Sequence, residues 1–187
     1  MSGTGLLGGT FNPPHNGHVL LAATAKKRFD IDSLRVHVSS NPPHKRVDVP
    51  VETRLKLTKL AFPDDVVVRD DYPYSIDTVT GFGDDAIFLV GADQFAKFLT
   101  WREPDAILEH VRLGVGTRPG YPREKLDAVL EALDRPERVE LFDMEPIPIS
   151  SSDIRRLVAD GASVRNLVPP AVAAEIERLG LYRGPAG

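Results

Sequence analysis

Gly5-Leu6-Leu7-Gly8-Gly9-Thr10-Phe11-Asn12-Pro13-Pro14-His15-Asn16-Gly17-His18-Val19-Leu20-Leu21 is the stretch on which the fold turns. A short apolar run enters it, and an alanine-rich amphipathic stretch, Val19 to Phe29, leaves it. That succession reads as strand, tight loop and helix N-terminus, the layout that receives phosphate in open α/β folds. Gly8 and Gly9 are expected to interrupt the strand; they can take positive φ and let a ligand approach bare backbone. Successive N–H groups there would form an anion-binding nest. Asn12, followed by Pro13, favours a turn through a bond from its side chain to nearby backbone. Gly17 keeps the helix entrance open, so that His15 and His18 become two neutral donors converging on one anion beside the positive dipole end.

Other readings of the loop are weaker. Two His at this spacing could ligate a metal, but the chain has no Cys and the loop has no carboxylate, so no protein-held metal is expected. No G-x-x-x-x-G-K-[ST] occurs, which excludes a P-loop, and the G-x-G-x-x-G fingerprint is missing here as well.

Gly9-Thr10-Phe11-Asn12-Pro13-Pro14-His15-Asn16-Gly17-His18 resembles the GTFDPxHxGH signature of the nucleotidyltransferase superfamily, most of all in its bacterial nicotinate mononucleotide adenylyltransferases. Asn12 departs from the usual Asp. It keeps the turn-forming acceptor and loses the charge, which implies altered loop electrostatics rather than a dead site.

The whole chain sets the bounds. At 187 residues, with 42% hydrophobic and 27% charged, it suits one ordinary domain over 1–187. A net charge of −4 argues against broad nucleic-acid binding. Zero Cys removes disulfides, thiolate metal sites and cysteine nucleophiles together. No signal peptide or membrane span is legible, so a cytoplasmic location is expected.

Further along, the chain alternates strands with helices. Strands are expected at Thr4–Leu7, Leu34–Val38, Val66–Val68, Ala86–Val90, Val111–Gly116 and Val139–Phe142. Of these, 66–68 reads as buried and 86–90 as the middle of a parallel sheet. Helices are expected at Gly17–Phe29, Val51–Phe62, Pro122–Leu133 with a stripe of Leu126, Val129, Leu130 and Leu133, and up to Leu179 with Gly180 as stop. This pattern implies an α/β, Rossmann-like, doubly wound parallel sheet. Ligands should bind over the carboxyl ends of its strands.

Several segments carry chemistry on that edge. Lys45 and Arg46 end the loop after the second strand, and Ser75 reads as the N-cap of a short helix. Gly91-Ala92-Asp93 places a carboxylate where ribose hydroxyls are bound in such folds. Ile149-Ser150-Ser151-Ser152-Asp153-Ile154-Arg155 opens a helix with three hydroxyls and a guanidinium able to grip two phosphate oxygens. By itself that start is also an ordinary cap.

The resemblance extends over these segments, from about Leu6 to Arg183. Pro42-Pro43-His44-Lys45 is similar to the family's substrate-phosphate loop. Tyr74-Ser75-Ile76-Asp77-Thr78 is similar to the segment that meets the pyridine acid group. Phe98-Leu99-Thr100-Trp101 and Arg118-Pro119-Gly120 have counterparts, and Ile149 to Arg155 is similar to the ISSTxIR motif, the part from 150 to 183 completing the ATP site.

The resemblance thus implies ATP bound by Gly8, Gly9, Thr10, Phe11, His15, Gly17, His18, Gly91, Asp93, Ser150, Ser151, Ser152 and Arg155. Nicotinate mononucleotide would meet Lys45, Tyr74, Ser75, Thr78 and Trp101. Catalysis would fall to His18, His15, Lys45 and Arg155, with Mg²⁺ carried by the ATP phosphates. A homo-oligomer is neither required nor excluded. Alternatives left open are a phosphopantetheine or nicotinamide mononucleotide substrate, and a nucleotide sensor without catalysis.

Overall fold

The computed structural model describes residues 3–42, 47–118, 120–145 and 147–184. Its centre is a six-stranded, all-parallel sheet in the order β3-β2-β1-β4-β5-β6. The strands are β1 (Gly3–Gly9), β2 (Ile31–Ser39), β3 (Val66–Asp70), β4 (Ile87–Gly91), β5 (Arg112–Thr117) and β6 (Val139–Asp143). The order reverses between β1 and β4, and a crevice opens at such a switch point.

Strand periodicity places the two cores. Leu6 faces one apolar cluster and Leu7 the other. In β4, Ile87 and Leu89 face the Leu7 side while Phe88 and Val90 face the Leu6 side. Successive side chains of a strand point to opposite faces, so a sheet buried on both sides needs apolar residues at every position. On the Leu7 side lie helices α1 (Asn16–Phe29), α2 (Val51–Ala61), α7 (Ser151–Ala159) and α8 (Pro170–Leu179). On the Leu6 side lie α3 (Ser75–Val79), α4 (Ala92–Phe95), α5 (Pro104–His110) and α6 (Arg123–Ala132). No helix among the described residues is long and apolar enough to cross a membrane.

The structure adds to or differs from the sequence expectations at several points. β1 runs through both glycines, pairing as far as Gly9 with Val38. Neither Gly8 nor Gly9 has positive φ; the left-handed residue of this loop is Phe11, at φ 49. Val66–Val68 is not a buried strand. β3 is the sheet edge and Val66 is 47% exposed, because a hydrophobic run reports strand propensity and not lateral position. The N-cap of α3 is Tyr74, so Ser75 is the first helical residue rather than the cap. Finally, α5 went unread. It starts on Pro104, a residue preorganised for a first helical position, and buries Ile107 and Leu108 completely.

Candidate functional site

The carboxyl ends of β1, β4 and β5 open onto two clefts. The first, of about 600 Å³, is lined by Gly91, Asp93, Arg118, Tyr121, Ser150–Ser152 and Arg155, together with His15 and Gly17. The second, of about 830 Å³, is lined by Gly8, Gly9, Phe11, Tyr74, Ser75, Thr78 and Trp101. Thr10, His18, Leu21, Gly91, Gln94 and Ser151 line both. Gly8, Gly9 and Phe11, which the resemblance groups with Asp93 and Arg155 around ATP, line the second cleft and not the first. Lys45 lies outside the described residues.

His18 stands at the junction for local reasons. His15 caps α1 in an extended conformation, and its backbone N–H donates to Nδ1 of His18 at 3.1 Å. An accepting Nδ1 in a neutral imidazole leaves the proton on Nε2. The two imidazoles lie face to face, with centroids 3.7 Å apart and planes 30° apart. Gly17 makes room for this pair: a Cβ there would come within 3.0 Å of the His15 ring. Phe11 presents its ring to His18 edge-on, with centroids 5.0 Å apart. A Cβ on Gly9 would meet the Phe11 ring at 3.0 Å, so this glycine serves by leaving space.

Burial sets the charge of His15. Desolvation pushes its pKa down to about 4, against a partial upward pull from Asp153. His15 is therefore neutral near pH 7. Its Nδ1 is buried and has no hydrogen-bond partner among the described residues.

The C-terminal part holds the loop from the far side. Ser150 caps α7 by accepting from the backbone N–H of Asp153 at 3.1 Å. Ser151 Oγ donates to the Pro13 carbonyl at 2.8 Å. Arg155 donates to the Asn12 carbonyl at 2.8 Å and to Ser152 Oγ at 3.1 Å. Among the described residues the Asn12 side chain makes no local turn bond of the kind expected of it. Its Oδ1 accepts from the Tyr182 hydroxyl at 2.8 Å, and burial raises that phenol's pKa despite nearby Arg155 and Arg54. The Asn12–Pro13 peptide bond is cis.

In the second cleft, Trp101 packs against Phe98 in a T-shaped pair, centroids 5.3 Å apart, and stays only partly buried. The Arg102 guanidinium sits 4.8 Å from the Tyr74 ring centre. Thr78 donates to Asp70 Oδ2 at 2.8 Å, and the same carboxylate lies 3.6 Å from His37 Nδ1. Burial would raise the Asp70 pKa, but hydrogen bonds from His37, Thr78 and the Tyr72 backbone hold it below the usual carboxylate range. In the first cleft, burial and the adjacent Asp93 carboxylate raise the Tyr121 phenol pKa, with Arg118 opposing.

Sequence reasoning missed Tyr182, the His37–Asp70 pair and Arg54. The last had a signal. Arg54, Leu57, Thr58 and Ala61 form the buried stripe of α2, and an arginine in register with an apolar stripe needs acceptors inside.

Comparisons with known proteins agree with this geometry. The cytidylyltransferase-like family model matches residues 6–157. A Thermus thermophilus protein named "Probable nicotinate-nucleotide adenylyltransferase" is 36% identical, over 96% of this chain and 98% of its own. A Bordetella petrii protein of the same name is 38% identical, over 98% and 100%. Among solved structures, Plasmodium falciparum nicotinic acid mononucleotide adenylyltransferase complexed with NaAD superimposes with a TM-score of 0.73 at 14% identity, covering 97% of this chain and 98% of that one. At that identity the likeness speaks for the fold.

Proposed function

Because the chain belongs to the cytidylyltransferase-like family, we propose that it transfers the adenylyl group of ATP to nicotinate mononucleotide, giving nicotinate adenine dinucleotide and pyrophosphate. The observation that carries this reading is the pair of clefts meeting at His18. A reaction joining two nucleotides needs two sites with a common wall, and a donor on that wall where charge develops. The names of relatives aligned over nearly the full chain supply the substrates.

ATP is assigned to the first cleft, with Asp93 toward the ribose and Ser150–Ser152 and Arg155 toward the phosphates. The pyridine nucleotide is assigned to the second, its ring against Trp101 and its acid group toward residues 74–78. Lys45 is proposed to hold its phosphate. The nucleophile is that 5′-phosphate, whose second pKa is about 6, so it is already ionised near pH 7. No general base is then required.

The barrier lies in anion–anion repulsion and in-line alignment. The Nε2–H of His18, beside the N-terminus of α1, donates to the α-phosphate as its charge grows. The buried His15, neutral above about pH 4, stacks on His18 and holds its ring in place. Arg155 and the serines orient the leaving pyrophosphate. Mg²⁺ is proposed to enter on the triphosphate with its own waters, lowering its charge. Among the described residues no cluster of three or more His, Asp or Glu could hold such an ion.

The test is a panel of phosphorylated substrates with ATP, reading pyrophosphate release. The acid mononucleotide should exceed its amide by roughly 10²- to 10³-fold in kcat/KM, because backbone donors at 74–78 would face the amide NH₂. Comparable values for acid and amide would remove the specificity, and no release with either would remove the reaction.

A further inference from the structure

Among the described residues Arg54 is the largest fully buried side chain, 1% exposed, and each of its hydrogen bonds there goes to a backbone carbonyl. Nη1 donates to Thr10 and to Ser39, both at 2.7 Å. Nη2 donates to Ser40 at 3.1 Å, and Nε to Val49 at 3.1 Å. Among the described residues no carboxylate pairs with it. Taking a cation out of water costs several kcal/mol unless its hydrogen bonds are made, and an apolar side chain would fill the same stripe of α2 without that cost. What the guanidinium adds is a rigid fork joining the end of β1, the end of β2 and the segment before α2.

These segments are the ones on which both clefts depend. Thr10 lines both clefts, and Phe11, which follows it in the left-handed region, packs on His18. On the other side, the Ser40 N–H donates to the Asp70 carbonyl at 2.8 Å, and Asp70 holds Thr78. In a trans peptide the N–H points opposite to the C=O. The Ser39–Ser40 unit obeys this, its carbonyl on Arg54 and its N–H on Asp70. By the same geometry, the Thr10–Phe11 unit, with its carbonyl on Arg54, turns the Phe11 N–H away from the guanidinium.

We propose that Arg54 is a positioning residue for the transfer: it locks the Thr10–Phe11 peptide to the Ser39–Ser40 corner, holding the Phe11 N–H as a phosphate donor and His18 in register with the pyridine-nucleotide cleft. The proposal rests on the adenylyl transfer above for its kinetic arm only. The ATP cleft draws its other walls from Gly91, Asp93, Ser150–Ser152 and Arg155, none of which accepts a hydrogen bond from Arg54. The fork therefore governs alignment and the second nucleotide more than ATP affinity.

Arg54→Gln and Arg54→Lys separate this from a purely structural role. Rates are normalised to the folded fraction by circular dichroism and taken well below each unfolding midpoint. Arg54→Gln is expected to lower kcat by about 10²-fold, the scale of one misplaced donor, and to raise KM for the pyridine nucleotide several-fold more than KM for ATP. Arg54→Lys keeps the charge but cannot reach carbonyls on three segments at once, so it should recover only part of kcat. A folded Arg54→Gln variant with unchanged kcat and KM overturns the proposal, as does an equal rise in both KM values with kcat intact.

A second measurement needs no variant. In ¹⁵N spectra of the wild type titrated with inorganic phosphate, the Phe11 amide should shift downfield. No shift at saturation removes the donor role. A shift in a protein that shows no adenylyl transfer would sink the assigned reaction while leaving the anion site in place.

Discussion

Replacing His18 with alanine separates catalysis from architecture. The imidazole at the junction of the two clefts has Nδ1 occupied by the His15 N–H, so in the proposed reaction Nε2–H is the donor. Removing one preorganised donor to developing oxyanion charge costs about 10²- to 10³-fold in kcat, roughly 3–4 kcal/mol. The same change removes the His15 N–H to Nδ1 bond, about 1 kcal/mol net. It also removes the edge contact with Phe11, about 1 kcal/mol more. A loss of about 2 kcal/mol lowers Tm by about 4–8 °C in a chain of this size, leaving the variant folded at 25 °C. The assay is steady-state pyrophosphate release at saturating ATP and nicotinate mononucleotide, with ATP affinity measured by calorimetry and Tm by circular dichroism. Expected are a fall in kcat of that size, ATP affinity changed by less than about tenfold because most of the first cleft is untouched, and the modest fall in Tm. A folded variant with wild-type kcat would refute the role of His18. A loss confined to ATP affinity would reduce it to a binding residue.

Further outcomes follow from the same geometry. Arg155→Lys keeps the charge but not the two bonds to Asn12 and Ser152; ATP binding should weaken by about tenfold with the pyridine substrate little affected, and equal weakening of both would place Arg155 elsewhere in the site. Trp101 lines the second cleft and not the first, so Trp101→Ala should raise KM for acid and amide mononucleotides alike and spare ATP, as isothermal titration of each ligand would show. His15 provides a pH signature. Its folded pKa is about 4, lowered by burial, against roughly 6.5 unfolded, so the unfolded chain binds more protons between those values. Stability should therefore fall as pH drops from 6.5 to 4, by up to about 3 kcal/mol, and urea midpoints of His15→Asn across that window should show a flatter slope.

Much of this protein was legible one segment at a time. The alternation of apolar runs with 3.6-residue stripes marks most strands and helices, since the periods of backbone geometry are properties of a few consecutive residues. The glycine-rich stretch before His15 and the serines before Arg155 likewise carry their chemistry locally, in turn residues and helix caps. Even there neighbours decided details: Gly8 and Gly9 stayed in the strand because β2 pairs with them as far as Val38, and Phe11 took the positive φ instead. Lateral order was not legible either. Val66–Val68 has the composition of a buried strand, yet among the described residues β3 pairs with β2 alone and forms the sheet edge.

Only the tertiary structure brought together Asn12 and Tyr182, 170 positions apart, and seated Arg54 under Thr10 and Ser39. The physical reason is the nature of their partners. Arg54 binds backbone carbonyls, which every residue possesses, so no residue type announces the contact. The distance between the two clefts and their shared wall at His18 depends on how β1, β4 and α7 pack, a sum of long-range contacts with no signature in any short stretch of chain.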